Sequence, residues 1–285
     1  MDGRSARRWR GSFRDGGRNP GARGSGGQPD FRGMTSAIIV AAGSSRRMGF
    51  DKLFAGLAGK PVVWHSLHAF NAAREIDEII VVTRKDRVRD FEALVASEKL
   101  GKVSGVISGG SERHLSVWSG LQAIESRGSE FVGIHDGARP LTTPELIRKC
   151  LECARAHGAA CCASPIPDTV KRASLEQMVQ ESVERTGLWA MQTPQFFASG
   201  LILQAYASLM AHNETVTDEV SAVQKLGKRI YLLKNEEWNF KITFPHDLEL
   251  AEHVLALRSG KGAAKKRAGA AKRSSGLPER PNASL

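Results

Sequence analysis

Between residues 37 and 165, short apolar runs alternate with longer stretches in which apolar positions recur every three or four residues. The runs at 37–41 (Ala37-Ile38-Ile39-Val40-Ala41), 78–83, 103–107, 131–135 and 159–164 have strand length and are rich in β-branched residues. The intervening stretches at 61–73, 86–98, 112–126 and 143–157 carry helical periodicity. Strand and helix in alternation predict a three-layer α/β domain with a mainly parallel sheet. The pattern changes at 166–186, where two runs of alternating polarity flank Ala173-Ser174-Leu175-Glu176-Gln177. These read as a protruding β-hairpin arm, too small to form a core of its own. Helical patterns return at 199–212 and 217–226, a strand is predicted at 229–233, and a last helix follows Pro245 with Asp247 and Glu249 in its first turn.

Charge separates three regions. Residues 1–33 carry eight arginines against three aspartates, and residues 258–285 carry eight Lys/Arg against one Glu. The formal charge of +11 therefore leaves 34–257 at −1. Both tails are too poor in apolar residues to offset the entropy of ordering them, so they are expected to be disordered. The first tail, Arg-rich and poor in acids, weakly resembles an organelle transit peptide, and Met34, just before the first strand, offers an alternative start; 258–285 is too short for a fused second enzyme. No apolar stretch is long enough for a membrane span or a secretory signal, which points to the cytoplasm. Cys150, Cys153, Cys161 and Cys162 have no matching second ligand pair and read as reduced core cysteines.

Small residues open the loop after the first strand: Ala41-Ala42-Gly43-Ser44-Ser45-Arg46-Arg47-Met48-Gly49, followed by Lys52. Small residues expose backbone N–H donors and the basic side chains add fixed charge, a combination suited to phosphate. The spacing is neither the dinucleotide fingerprint nor the Gly-Lys-Ser/Thr phosphate loop. An ordinary strand-to-helix turn with exposed arginines explains the loop alone equally well. Four further segments bear on it: Gly109-Gly110-Ser111-Glu112-Arg113-His114-Leu115-Ser116; His135-Asp136-Gly137-Ala138-Arg139-Pro140; the arm from Asp168-Thr169-Val170-Lys171 to Arg185 and on to Gln192-Thr193-Pro194-Gln195; and Asn239-Phe240-Lys241-Ile242-Thr243, read as a strand.

In this order, over about residues 36–257, the five segments resemble the 2-C-methyl-D-erythritol 4-phosphate cytidylyltransferases of the non-mevalonate isoprenoid pathway. The resemblance implies a Rossmann-like nucleotidyltransferase domain (34–257) that dimerises through its arm at 166–186. It implies that CMP is transferred from CTP to the acceptor phosphate, releasing pyrophosphate, with Mg²⁺ or another divalent cation. Ala41, Ala42 and Gly43 would wrap the triphosphate, and Arg47 and Lys52 would stabilise charge on its α-phosphate. Gly110, Ser111, Arg113 and Ser116 would hold the cytosine and orient the nucleotide. Asp136, beside Gly137, would face Mg²⁺ and the ribose. Thr169, Arg185, Thr193 and Lys241 would position the acceptor, with Arg185 crossing from a partner subunit. The chain departs from the family in having Ser45 for a glycine, Asp51-Lys52-Leu53 for Pro-Lys-Gln, and a shorter loop before Lys52. Gly137 stands for the usual alanine.

The residue types suit that reaction. A phosphate monoester is already an anionic nucleophile, so no general base and no Ser/His/Asp set is required. Structural readings stand beside the functional ones. Asp136 could cap a turn, Arg139 fits a salt-bridge partner equally well, and Asp168 could brace the arm. His135 reads as packing at a strand end, and the remaining histidines share no metal spacing. Thr217-Asp218-Glu219 reads as an N-cap followed by first-turn acids. A cytidylyltransferase for another polyol phosphate, such as ribitol 5-phosphate, shares the CTP half. A protein that binds nucleic acid through its basic tails is disfavoured by the near-neutral core and by tails without interleaved aromatics.

Overall fold

The computed structural model describes residues 33–43 and 48–260. Apart from Gly33 and residues 258–260, the two basic tails lie outside the described residues, and so does Arg47. The elements run β1 (Thr35–Ala41), β2 (Gly56–Leu57), β3 (Lys60–Pro61), α1 (Val62–Ala72), β4 (Glu78–Thr83), α2 (Val88–Ser97), β5 (Val103–Ser108), α3 (Arg113–Glu125), β6 (Phe131–Asp136) and α4 (Pro144–His157). They continue with β7 (Ala159–Pro165), β8 (Val170–Ala173), β9 (Val179–Val183), β10 (Trp189–Ala198), α5 (Ser199–Ala211), α6 (Glu219–Lys225), β11 (Tyr231–Lys234) and α7 (His246–Arg258).

Seven strands form one sheet in the order β11-β7-β10-β6-β1-β4-β5. All pairings are parallel except those of β10, which runs antiparallel to both β6 and β7. Strand β1 shows why the apolar runs were legible: Ala37, Ile39 and Ala41 face one layer, Ile38 and Val40 the other, and neither face can be polar. On one side Leu67 and Phe70 of α1, Phe91 of α2 and Ile147 and Leu151 of α4 close the core. On the other side stand Val117 and Leu121 of α3, Ile202 and Tyr206 of α5, and Val220 and Val223 of α6. Helix α4 illustrates the local logic. Thr143 caps it by accepting from the Leu146 N–H at 3.2 Å, Pro144 opens it, and Gly158 ends it at φ 80°. Such a cap contributes about 1 kcal/mol, and each buried aliphatic side chain contributes about 1.5–3 kcal/mol.

Two expectations are corrected. Residues 189–198, read as chain running off the arm, form the sheet strand β10. Its Pro194, which argues against a central strand, falls where the register to β7 shifts between Met191 and Gln195. Conversely, 239–243 is not a strand but an irregular segment. It is held by the Ile242 N–H on the Ala138 carbonyl at 2.8 Å, by the Asn239 side chain on the Thr193 carbonyl at 2.8 Å, by side-chain donors to its Asn239 and Ile242 carbonyls, and by burial of Ile242 against α7. The arm is an antiparallel pair, β8 with β9, separate from the main sheet. Leu175, Met178 and Val179 at its tip are 98%, 68% and 67% exposed. Arg258, placed with the tail by composition, closes α7, and its guanidinium bonds the Leu141 and Trp238 carbonyls.

Candidate active site

The carboxyl ends of the parallel strands are where an open α/β sheet binds ligands. Here they frame a cavity of about 710 Å³. Asp136 ends β6, opposite Val40 of β1, and is buried beneath this cavity. Its Oδ1 accepts from Arg113 Nε at 3.2 Å and its Oδ2 from Lys241 Nζ at 3.0 Å, while Arg139 Nε stands 3.5 Å from Oδ2. Burial opposes the charge on Asp136. Arg113, Lys241 and Arg139 outweigh it and hold the carboxyl well below the ordinary carboxylate range.

Behind Asp136 lies a hydrogen-bonded support. The Asp136 N–H donates to Thr193 Oγ1 at 3.1 Å, and Thr193 Oγ1 lies 3.0 Å from His135 Nδ1. His135 Nε2 faces the Arg139 carbonyl at 3.4 Å, which only an N–H can serve, so Nε2 carries the proton and Nδ1 accepts from the Thr193 hydroxyl. Burial lowers the His135 pKa to about 3, against the opposing pull of Asp136, so the ring is neutral at pH 7. Its packing role matches expectation. Arg139 is likewise braced, donating to the Asn239 and Met191 carbonyls at 2.8 and 3.4 Å.

Arg113 has a second tether. Its Nη1 and Nη2 meet the two carboxylate oxygens of Glu219 at 2.5 and 3.1 Å, and the Tyr206 hydroxyl donates to Glu219 Oε1 at 3.2 Å. Burial alone would lower the guanidinium's pKa, but Glu219 and Asp136 raise it well above its ordinary value. Tyr206, Glu219, Arg113, Asp136 and Lys241 thus form one continuous polar chain. Asp218 does cap α6, through the Ser221 N–H at 3.0 Å. Glu219, by contrast, is wholly buried and reaches the site within its own chain, which its reading as a first-turn acid did not foresee.

The structure brings Ala41, Ala42, Gly43, Lys52, Gly110, Ser111, Arg113, Ser116, Asp136 and Lys241 to one cavity wall. Lys52 Nζ donates to the Ile242 carbonyl at 2.7 Å. Gly110 packs so tightly that a Cβ there would collide with the Leu115 side chain. Ser116 Oγ donates to the Glu112 and Gly110 carbonyls at 3.1 and 3.3 Å, fixing that turn on α3. Gly137 and Thr193 sit behind the wall, Gly137 with its N–H on the Val40 carbonyl at 2.9 Å. Thr169 and Arg185 stand exposed at the base of the arm and do not line the cavity; the Arg185 guanidinium bonds the Pro167 carbonyl. Arg84, not singled out from sequence, also lines it. Among the described residues no three acidic, His or Cys groups converge on a metal position. Of the two carboxylates that line the cavity, Asp136 and Glu112, Asp136 is the buried one, and a single buried carboxylate fits a hard cation that keeps its waters and takes further ligands from an anion.

Known proteins of one family share this chain's sequence and fold. The family described as 2-C-methyl-D-erythritol 4-phosphate cytidylyltransferase matches residues 35–257. A protein of that name from Clostridium botulinum is 38% identical over 222 residues, 77% of this chain and 96% of the relative. One from Dehalococcoides mccartyi is 43% identical over 220 residues, 77% and 95% of the two chains. The crystal structure of 4-diphosphocytidyl-2C-methyl-D-erythritol synthase from Anaerococcus prevotii superposes with a TM-score of 0.69 at 32% identity, covering 78% of this chain and 96% of that one.

Proposed function

Because the chain belongs to the 2-C-methyl-D-erythritol 4-phosphate cytidylyltransferase family, we propose that it transfers CMP from CTP to 2-C-methyl-D-erythritol 4-phosphate and releases pyrophosphate. It is a nucleotidyltransferase. The observation that carries the reading is the charge pattern of the cavity: Lys52, Arg113 and Lys241 on its wall, two of them locked to the buried Asp136.

An acceptor phosphate oxygen attacks the α-phosphorus in line, the bond to the bridging oxygen breaks, and its electron pair leaves with pyrophosphate. The nucleophile arrives as an anion, so no residue need remove a proton. The barrier lies in bringing two polyanions together and in charge that spreads over the five-coordinate phosphorus. Cations fixed beforehand lower both costs. Arg113 and Lys241 are fixed in this way by Asp136, and Lys52 by the Ile242 carbonyl. The small residues Ala41–Gly43 let the triphosphate approach the backbone. Asp136 is the residue that would hold Mg²⁺, which supplies charge neutralisation across the phosphates when bound. Thr193 serves by holding the Asp136 backbone.

Thr169 and Arg185 act on the acceptor from a partner's arm in a homodimer. The apolar arm tip, too small to bury itself, supports that assembly. The four free thiols and the absence, among the described residues, of a helix long and apolar enough to cross a membrane suit a cytoplasmic site of action. Pyrophosphate release from CTP is measured with methylerythritol phosphate, with ribitol 5-phosphate, and with no acceptor. Release is expected with the first; silence there, with turnover of ribitol 5-phosphate, would transfer the assignment to the second acceptor.

A further inference from the structure

Arg84 follows β4, and strand order places it between the loop after β1 and the Gly109-Gly110 turn after β5. Both flanks are tied down next to it. Thr83 Oγ1 donates to the Ala41 carbonyl at 3.3 Å, and the Gly109 N–H donates to the Thr83 carbonyl at 2.7 Å. Arg84 lines the cavity together with Gly43 and Lys52. Its guanidinium meets Asp86 through Nε at 3.2 Å and Nη2 at 3.1 Å, and Nη2 lies 3.9 Å from Asp51 Oδ2. Asp51 is itself anchored: Oδ1 accepts the Leu53 N–H at 3.1 Å and Oδ2 pairs with Arg87 Nη2 at 2.8 Å. Asp51 precedes Lys52, so the Arg84 guanidinium is held on the loop side of the cavity. It also stands beyond β1 from Asp136.

We propose that Arg84 is a further substrate-binding residue, holding the β- and γ-phosphates that leave as pyrophosphate. The assignment rests on the nucleotide reading above. Its partner Asp86 is 66% exposed, and exposed pairs exchange readily for a stronger anion. The planar fork of arginine matches two phosphate oxygens at once. When the α-phosphorus bond to the bridging oxygen breaks, the electron pair and the growing negative charge fall on the group that Arg84 faces.

Isothermal titration with Mg²⁺ present compares CTP, CMP and pyrophosphate on the full chain, on Arg84→Gln and on Asp86→Asn. Arg84→Gln should weaken CTP and pyrophosphate about tenfold or more, as expected for one lost charged hydrogen-bonding partner. CMP, which lacks both outer phosphates, should stay within about twofold. Asp86→Asn should bind CTP at least as well as the unaltered chain, because it only removes the competing carboxylate. Equal losses for CTP and CMP, no loss for either, or an Asp86→Asn variant as impaired as Arg84→Gln would each overturn the assignment and leave Arg84 a surface brace. Failure of the unaltered chain to bind CTP would instead overturn the nucleotide reading, and this assignment with it.

Discussion

Glu219→Gln is the most informative single change in the polar chain beneath the cavity. Gln has nearly the same volume, but it puts an amide NH₂ where a carboxylate oxygen now accepts from Arg113. Two charge-assisted contacts, at 2.5 and 3.1 Å, are affected in a wholly buried position. Removing one partner of a buried ion pair costs about 3–5 kcal/mol. Arg113 keeps Asp136 as a second partner and its side chain is 26% exposed, so the lower end, about 3 kcal/mol, is expected. For a domain of this size that is a fall in Tm of about 6–12 °C. The loosened guanidinium should also weaken CTP about tenfold, read by titration. Tyr206→Phe is the control: it removes one neutral donor and leaves the ion pair, so at most about 1.5 kcal/mol is lost. In Arg113→Met/Glu219→Met no orphaned charge remains, and stability should recover relative to Glu219→Gln while CTP binding does not. A Glu219→Gln protein with unchanged Tm and CTP affinity would refute the argument that Glu219 positions Arg113.

Three further outcomes follow from the same geometry. His135 titrates at about 3 in the folded state against 6.5 as its ordinary value, so the unfolded chain binds the extra proton between those values. Stability should therefore fall as pH drops from 6.5 towards 4, by up to about 1.4 kcal/mol per unit, and a urea-midpoint series should show a flatter slope in His135→Gln; equal slopes would exclude His135 as the source. Asp136→Asn leaves Arg113, Lys241 and Arg139 without their shared anion and should cut pyrophosphate release at least about 100-fold, whereas turnover within tenfold of normal would remove Asp136 from the centre of the site. Leu175→Glu/Met178→Glu should yield monomers by sedimentation, and mixing Arg185→Ala with Asp136→Asn subunits should restore part of the activity. A mixture that stays inactive although heterodimers form would place Arg185 in its own chain's function.

The sequence revealed what is locally encoded. Residues 78–83 form β4 as predicted, because a strand buried on both faces carries a continuous apolar run, here Ile79-Ile80-Val81-Val82 between buried Glu78 and Thr83. The residues at strand ends, Ala41 to Gly43 and Asp136, were legible for a related reason: the strand fixes where the chain stops being apolar. Strand β10 was hidden because Gln192, Thr193 and Pro194 interrupt it. These residues are there for long-range partners: the Thr193 hydroxyl for Asp136 and His135, and the Gln192 side chain for Asn235 and Asn239.

Glu219 was hidden for the opposite reason. Locally it is an unremarkable first-turn acid beside the cap Asp218, and nothing in α6 distinguishes it from a solvated one. Only the packing of α6 on α5 beside α3 brings Tyr206 and Arg113 to it across 13 and 106 residues of sequence. The groups that touch substrate are thus written where backbone geometry demands small or charged residues. The groups that hold them in place are written wherever the fold happens to return. Asp136 shows why this second set matters: three cations converge on one buried carboxylate, and two of those cations, Arg113 and Arg139, are themselves held by partners that no local pattern discloses. Substitutions in that supporting set should leave the recognisable motifs intact and still loosen the site, so motif matching alone would score such a chain as active when its cations are no longer fixed.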